Sequence, residues 1–138
     1  MAPWLQIDIN AIEKVQERAL KLIPSLDSLT YEEKLNELDL FKLSERRKRG
    51  DLISMYKIMQ RLYSVNSGIF PVKECRYSQR TNDRKVMITK AKTDIRKFFY
   101  SQRVAIPWNT LPKKIADSPN VDEFKRNYDH YVKNQCLN

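Results

Sequence analysis

Arg46, Arg47, Lys48 and Arg49 stand in an unbroken row. Adjacent cations suit one kind of chemistry above others, which is gripping a polyanion. Arginine in particular forms bidentate contacts with phosphate. More charge of the same sign follows at Lys57, Arg61, Arg76, Arg80, Arg84, Lys85, Lys90, Lys92, Arg96, Lys97 and Arg103. A charge run on a helix is by default a solvated face. Three features count against that default. The row lies near an expected helix N-terminus, where the macrodipole disfavours positive charge. Its neighbours in the chain add to the charge instead of neutralising it. Residues 44–103 carry 16 basic and 5 acidic side chains, whereas residues 1–43 carry 5 and 8. The net +9 of the 138-residue chain therefore originates in its middle. Such a surface would contact backbone and shape, with a steep dependence on salt.

Other chemistries find less support. His130 is the one histidine, and its neighbour Asp129 is adjacent in sequence, a spacing that does not bring side chains together on a helix. Neither serine nor cysteine sits in a nucleophile motif, and Glu32 and Glu33 lie where a helix cap accounts for them. No catalytic residue is expected. Cys75 and Cys136 make no disulfide framework and, with one histidine, no recognised zinc set, so free thiols in a reducing compartment are expected. No cofactor, metal or small-molecule substrate is implied. Two glycines, Gly50 and Gly68, leave no room for a dinucleotide fingerprint or a P-loop. Residues 1–10 lack the pattern of a signal peptide, and no apolar run approaches the ~20 residues of a membrane span.

The elements that must position the cations are mostly helical. Ile9, Ile12, Val15, Ala19, Leu22 and Ile23 recur at helical period, with Asn10 and Glu13 at capping-box spacing, Asp8 as a competing cap and Pro24 as the terminator. Thr30 and Glu33 form a second box ahead of a short helix with Leu35 and Leu38 inward, and the Asp39–Leu40 pair suggests its end. Ser44 to about Tyr63 predicts a third helix whose apolar face is Leu52, Met55, Tyr56, Met59, Leu62 and Tyr63. Arg47, Gly50, Ser54, Lys57 and Arg61 fall on the opposite side. Gly50 costs about 1 kcal/mol against alanine in a helix interior, which suggests close approach of another backbone or a local kink.

Residues 64–92 lose the period and read as a basic, partly extended connection, with 85–89 as a short run lacking an evident strand partner. A helix follows from Thr93 or Asp94, with Ile95, Phe98, Phe99, Val104 and Ile106 as core and Pro107 kinking or ending it; residues 108–112 read as a turn. Asn120 and Glu123 form a third capping box at the start of the last helix, with Val121, Phe124, Tyr128 and Val132 inward. The expected fold is a single, mostly α domain of about five helices in a small irregular bundle. Tyr77 and Tyr100 are the candidates for base stacking; Phe98 and Phe99 could also stack, but for these two the core is the favoured reading.

Four stretches resemble a known family in order and spacing: residues 5–24, residues 29–59 with the Arg-Gly-Asp-Leu of 49–52, residues 93–112 with Thr93, Asp94, Arg96, Phe99, Ser101, Arg103, Trp108, Asn109, Leu111 and Pro112, and residues 118–129. Together they resemble the C-terminal, post-thumb region of the reverse transcriptase of non-LTR (LINE-type, jockey-like) retrotransposons, over roughly residues 4–133. Pro107 departs from the family's pattern. The resemblance implies a helical accessory segment that helps to hold template RNA or target DNA. It does not imply polymerase activity here, because the paired aspartates of the palm and the endonuclease domain are absent from this chain. It also leaves a second role open, docking on the polymerase domains of a parent polyprotein, and a third, a remnant without function. An intracellular location, nuclear or cytoplasmic, goes with either active role. Arg46, Arg47 and Arg49 fall on the family's basic motif. With Arg96 and Arg103 they are the residues expected to carry phosphate contacts.

Overall fold

The computed structural model describes residues 5–64, 72–74, 84–88, 90 and 92–136. They are mostly helical. The chain gathers into two compact units, residues 1–48 and 49–138.

The first unit contains α1 (Gln6–Lys21), a 3₁₀ turn (Pro24–Leu26), α2 (Tyr31–Glu37) and the start of α3 (Leu43–Met59). Glu13 organises it. Its carboxylate accepts a 2.6 Å hydrogen bond from the Tyr31 hydroxyl and two, of 3.1 and 3.3 Å, from the Leu43 amide. That carboxylate therefore belongs to tertiary structure, and the box expected with Asn10 does not form. The helix starts earlier, and Asn10 accepts instead from the Gln6 amide. Burial and the Glu13 carboxylate both push the Tyr31 phenol well above its ordinary range.

The box of α2 does form. Thr30 Oγ1 accepts from the Glu33 amide, and Glu33 Oε2 accepts from the Thr30 amide at 2.7 Å. Lys34 and Leu35 are buried, while Leu38 is exposed. Asp39, at φ +49°, turns the chain out of the helix, and the Leu40 amide then donates back to the Leu35 carbonyl. The inward stripe expected of α1 is largely outside: Ile12, Val15 and Leu22 are exposed, and Leu20 is buried instead. The helix is rotated relative to its own apolar seam because Glu13 and Gln16, polar residues flanking that seam, make the hydrogen bonds to the Tyr31–Leu43 segment.

α3 continues into the second unit, which also holds β1 (Val72–Glu74), β2 (Arg84–Val86), α4 (Asp94–Lys97), α5 (Tyr100–Arg103), α6 (Ala105–Thr110), α7 (Lys113–Ala116) and α8 (Val121–Cys136). α3 ends before Leu62 and Tyr63, leaving both exposed. Arg61 takes the left-handed conformation at φ +56°, and the amides of Arg61 and Leu62 close on the carbonyls of Ile58 and Lys57. That is a Schellman ending, made with arginine where glycine is usual. The core joins Leu52, Met55 and Tyr56 of α3 to Trp108 of α6 and Phe124 of α8. Tyr56 stacks on Phe124 with centroids 4.5 Å apart, and its hydroxyl donates to the Ser118 carbonyl. Asn120 caps α8 by accepting from the Glu123 amide at 2.8 Å, as its spacing predicts.

Several expectations are corrected in this unit. The start of the run at 85–89 does have a partner: β2 pairs antiparallel with β1, Val86 opposite Val72. The single helix after Thr93 is broken into α4, α5 and α6. Phe99 is extended at φ −63°, ψ 149°, and it and Ile106 are exposed. Val104 is buried as expected, and among the described side chains it is joined by Ser101, Ala105 and Trp108 instead of Phe99 and Ile106; the Ile95 side chain lies outside the described residues. Pro107 lies in the first turn of α6, one turn after the break at Val104 that separates α5 from α6; it has no amide hydrogen for the Arg103 carbonyl, and that break is the kink expected of it. Trp108 to Thr110 are helical rather than a turn.

Asn109 fastens this corner. Its Oδ1 accepts from the Val86 amide and its Nδ2 donates to the Val86 carbonyl, both at 2.9 Å. The side-chain amide thus stands where the next strand of a sheet would stand. Replacing Asn109 with alanine leaves both Val86 groups unsatisfied, and a loss of about 2–3 kcal/mol is expected. Urea unfolding of Asn109→Ala measures this; an unchanged midpoint would refute the fastening.

Candidate nucleic-acid interface

Within the second unit the Arg-Gly-Asp-Leu motif lies on α3. Leu52 points into the core, 2% exposed. Arg49 and Asp51 flank that apolar face on either side, about 200° apart around the helix. Each meets a partner of opposite charge. Arg49 Nε and Nη2 donate to the two oxygens of Asp129 on α8, at 2.6 and 2.8 Å. Arg103 Nε and Nη2 on α5 donate to the two oxygens of Asp51, at 2.8 and 2.9 Å. All four side chains are about a quarter to a third exposed. The Asp129 carboxylate holds the Arg49 guanidinium still more firmly in its charged form, and Asp51 does the same for Arg103.

Tyr100 belongs to the same assembly. Its hydroxyl donates to the Asp51 carbonyl at 2.9 Å, and the Arg103 guanidinium lies 5.5 Å from its ring centroid. Burial, with Asp51 second, pushes its phenol up to about 12. Three residues expected to meet nucleic acid, Arg49, Arg103 and Tyr100, are therefore held by internal partners. The physical reason is that the topology brings a carboxylate to each arginine from 80 and 52 residues away.

The other expected residues are distributed as follows. Arg46, Arg47 and Lys48 belong to the first unit. Lys48 pairs with Glu45 at 2.8 Å, while among the described residues no carboxylate pairs with Arg46 or Arg47. Gly50 is exposed, and a Cβ at its position would meet nothing within 4 Å, so no close packing among the described residues accounts for it. In the second unit Lys57 donates to the Tyr63 hydroxyl at 3.1 Å and lies over that ring. Arg61, Lys90, Lys92, Arg96 and Lys97 are exposed and Lys85 is half-buried, all without a carboxylate partner among the described residues. Arg84 contributes its backbone to β2. Arg76, Tyr77 and Arg80 lie outside the described residues.

An aromatic expected in the core lies outside it. Phe99 is 52% exposed, with the Arg96 guanidinium carbon 5.9 Å from its ring centroid. The extended turn between α4 and α5 puts it there, and helical periodicity alone does not reveal such a turn. His130 is exposed and within hydrogen-bond reach of Asn134, at 3.2 Å. Among the described residues no cluster of three His, Cys, Asp or Glu side chains could hold a metal ion, and no helix is long and apolar enough to cross a membrane.

Comparison with family models, with curated proteins and with solved structures gives no match.

The two forks carry a clear expectation. Arg49→Ala should cost about 1–2 kcal/mol, within the range of hydrogen bonds to charged groups, and Asp129→Ala a similar amount. The double variant should be less destabilised than the sum of the two single variants, by about 1 kcal/mol. Chemical denaturation of the three variants measures the coupling; strict additivity would show that the pair contributes nothing.

Proposed function

We propose that this chain is a non-catalytic accessory module, derived from a non-LTR retrotransposon reverse transcriptase, that binds the backbone of RNA or DNA. One observation carries the reading. Residues 49–138 hold 18 basic side chains against 8 acidic ones, net +10, and the two well-made carboxylate forks use only Arg49 and Arg103 of the basic set. Lys85, Lys90, Lys92, Arg96 and Lys97 remain for phosphate, with Arg46 and Arg47 at the start of α3. A net charge of this size draws polyanions to a protein whatever its fold. The proposed setting is intracellular, nuclear or cytoplasmic, where such nucleic acid is met. In binding to structured RNA, affinity should fall steeply as salt rises. Arg46→Ala with Arg47→Ala should flatten the log–log salt slope, by about 0.7–0.9 for each phosphate that is no longer neutralised. It should not lower the melting temperature, since neither side chain has a carboxylate partner among the described residues. Salt-independent binding, or an unchanged slope in the variant, would refute the assignment.

A second reading is favoured by a different observation. Ile12 and Val15 of α1 and Leu22, which caps its end, are 38%, 64% and 82% exposed along one helical face, with exposed Ala19 between them. That face is proposed to dock on the polymerase domains of a parent polyprotein. Val15→Asp with Leu22→Asp should leave the fold intact, because both positions are exposed, and should abolish co-purification with those domains. Undiminished co-purification would rule the docking face out.

A further inference from the structure

We infer that Phe99, with Arg96 and Lys97 beside it, is a stacking platform for an unpaired nucleobase. The inference rests on the nucleic-acid reading above and names what part of the ligand this surface takes, the face of a base in a single strand. A lone exposed apolar side chain needs no explanation. Phe99 is not lone. The four residues Arg96, Lys97, Phe98 and Phe99 alternate roles in space: the Arg96 guanidinium lies 5.9 Å from the Phe99 centroid, and Lys97 Nζ lies 5.5 Å from the Phe98 centroid. Both cations are exposed and lack a carboxylate partner among the described residues. A phosphate drawn to Arg96 would bring its own base within reach of the Phe99 ring.

The backbone that carries the ring is also held in place. The Phe99 amide donates to the Arg96 carbonyl at 3.3 Å, and its carbonyl accepts from the amides of Gln102 and Arg103, both at 3.0 Å. Its backbone is thus tied to the helices on both sides, and Arg103 is in turn fixed to Asp51. An aromatic on a fixed backbone loses little freedom when it binds. Stacking on such a ring tolerates any base, because every base offers a π face. A fully paired duplex keeps its base faces covered, so single strands are the ligand distinguished here.

The test uses the whole chain and two labelled probes, an oligouridylate of about ten nucleotides and a blunt RNA duplex. Phe99→Ala should weaken oligouridylate binding about tenfold and leave duplex binding and the salt slope as they were. Phe99→Leu, which keeps the apolar bulk, should weaken it in the same direction, and Phe99→Tyr should retain it. Salt-dependent binding by the parent chain with no weakening in Phe99→Ala overturns the platform while sparing the backbone reading. Equal weakening on both probes overturns it as well. A parent chain that binds neither probe removes both readings together.

Discussion

The second unit depends on how α3 is gripped. Its apolar face, Leu52, Met55 and Tyr56, is buried against α6 and α8. Charges of opposite sign bound that face, Arg49 on one side and Asp51 on the other, and each is closed by a two-point bond to a different helix. Hydrophobic burial supplies most of the driving force but has no direction. The two forks add direction: they set the rotation of α3 about its own axis and tie it to α5 and α8. Bidentate guanidinium–carboxylate geometry suits that task, since a turn of a few tens of degrees would break one or both bonds of each fork.

This constraint divides the arginines by role. A cation engaged twice by a carboxylate is a poor phosphate ligand, because binding would first have to break that pair. Arg49 and Arg103 are held within the fold, and Tyr100 with them. The cations proposed to meet a ligand are those without a carboxylate partner among the described residues. Arg96 belongs to this group although it lies seven residues from Arg103. The difference comes from the break at Phe98 and Phe99, which separates α4 from the segment that contributes Ser101, Val104 and Ala105 to the core.

Local features were legible in the residues. The Thr30–Glu33 box, the Asn120 cap, the apolar face of α3 up to Met59 and the mostly helical character follow from spacing and side-chain chemistry alone. Features set by distant partners were not. Nothing near Arg49 announces Asp129, 80 residues on. Nothing near Glu13 shows that it will leave its own helix cap for Tyr31 and Leu43. The seam of Ile12, Val15 and Leu22 is a true amphipathic pattern, yet periodicity reports only that a face is apolar, not that this chain covers it. Asn109 reads as one polar residue in a turn until β2 is in place beside it.

The most direct measurement follows the arginine Nε–Hε resonances individually by NMR while single-stranded RNA is added. Arg49 and Arg103, whose Nε–H groups are closed on Asp129 and Asp51, should keep their positions through the titration, while those of Arg46, Arg47 and Arg96 move. Movement of Arg49 and Arg103 with the RNA, or stillness of all five, would contradict the division between arginines that hold the fold and arginines that meet the ligand.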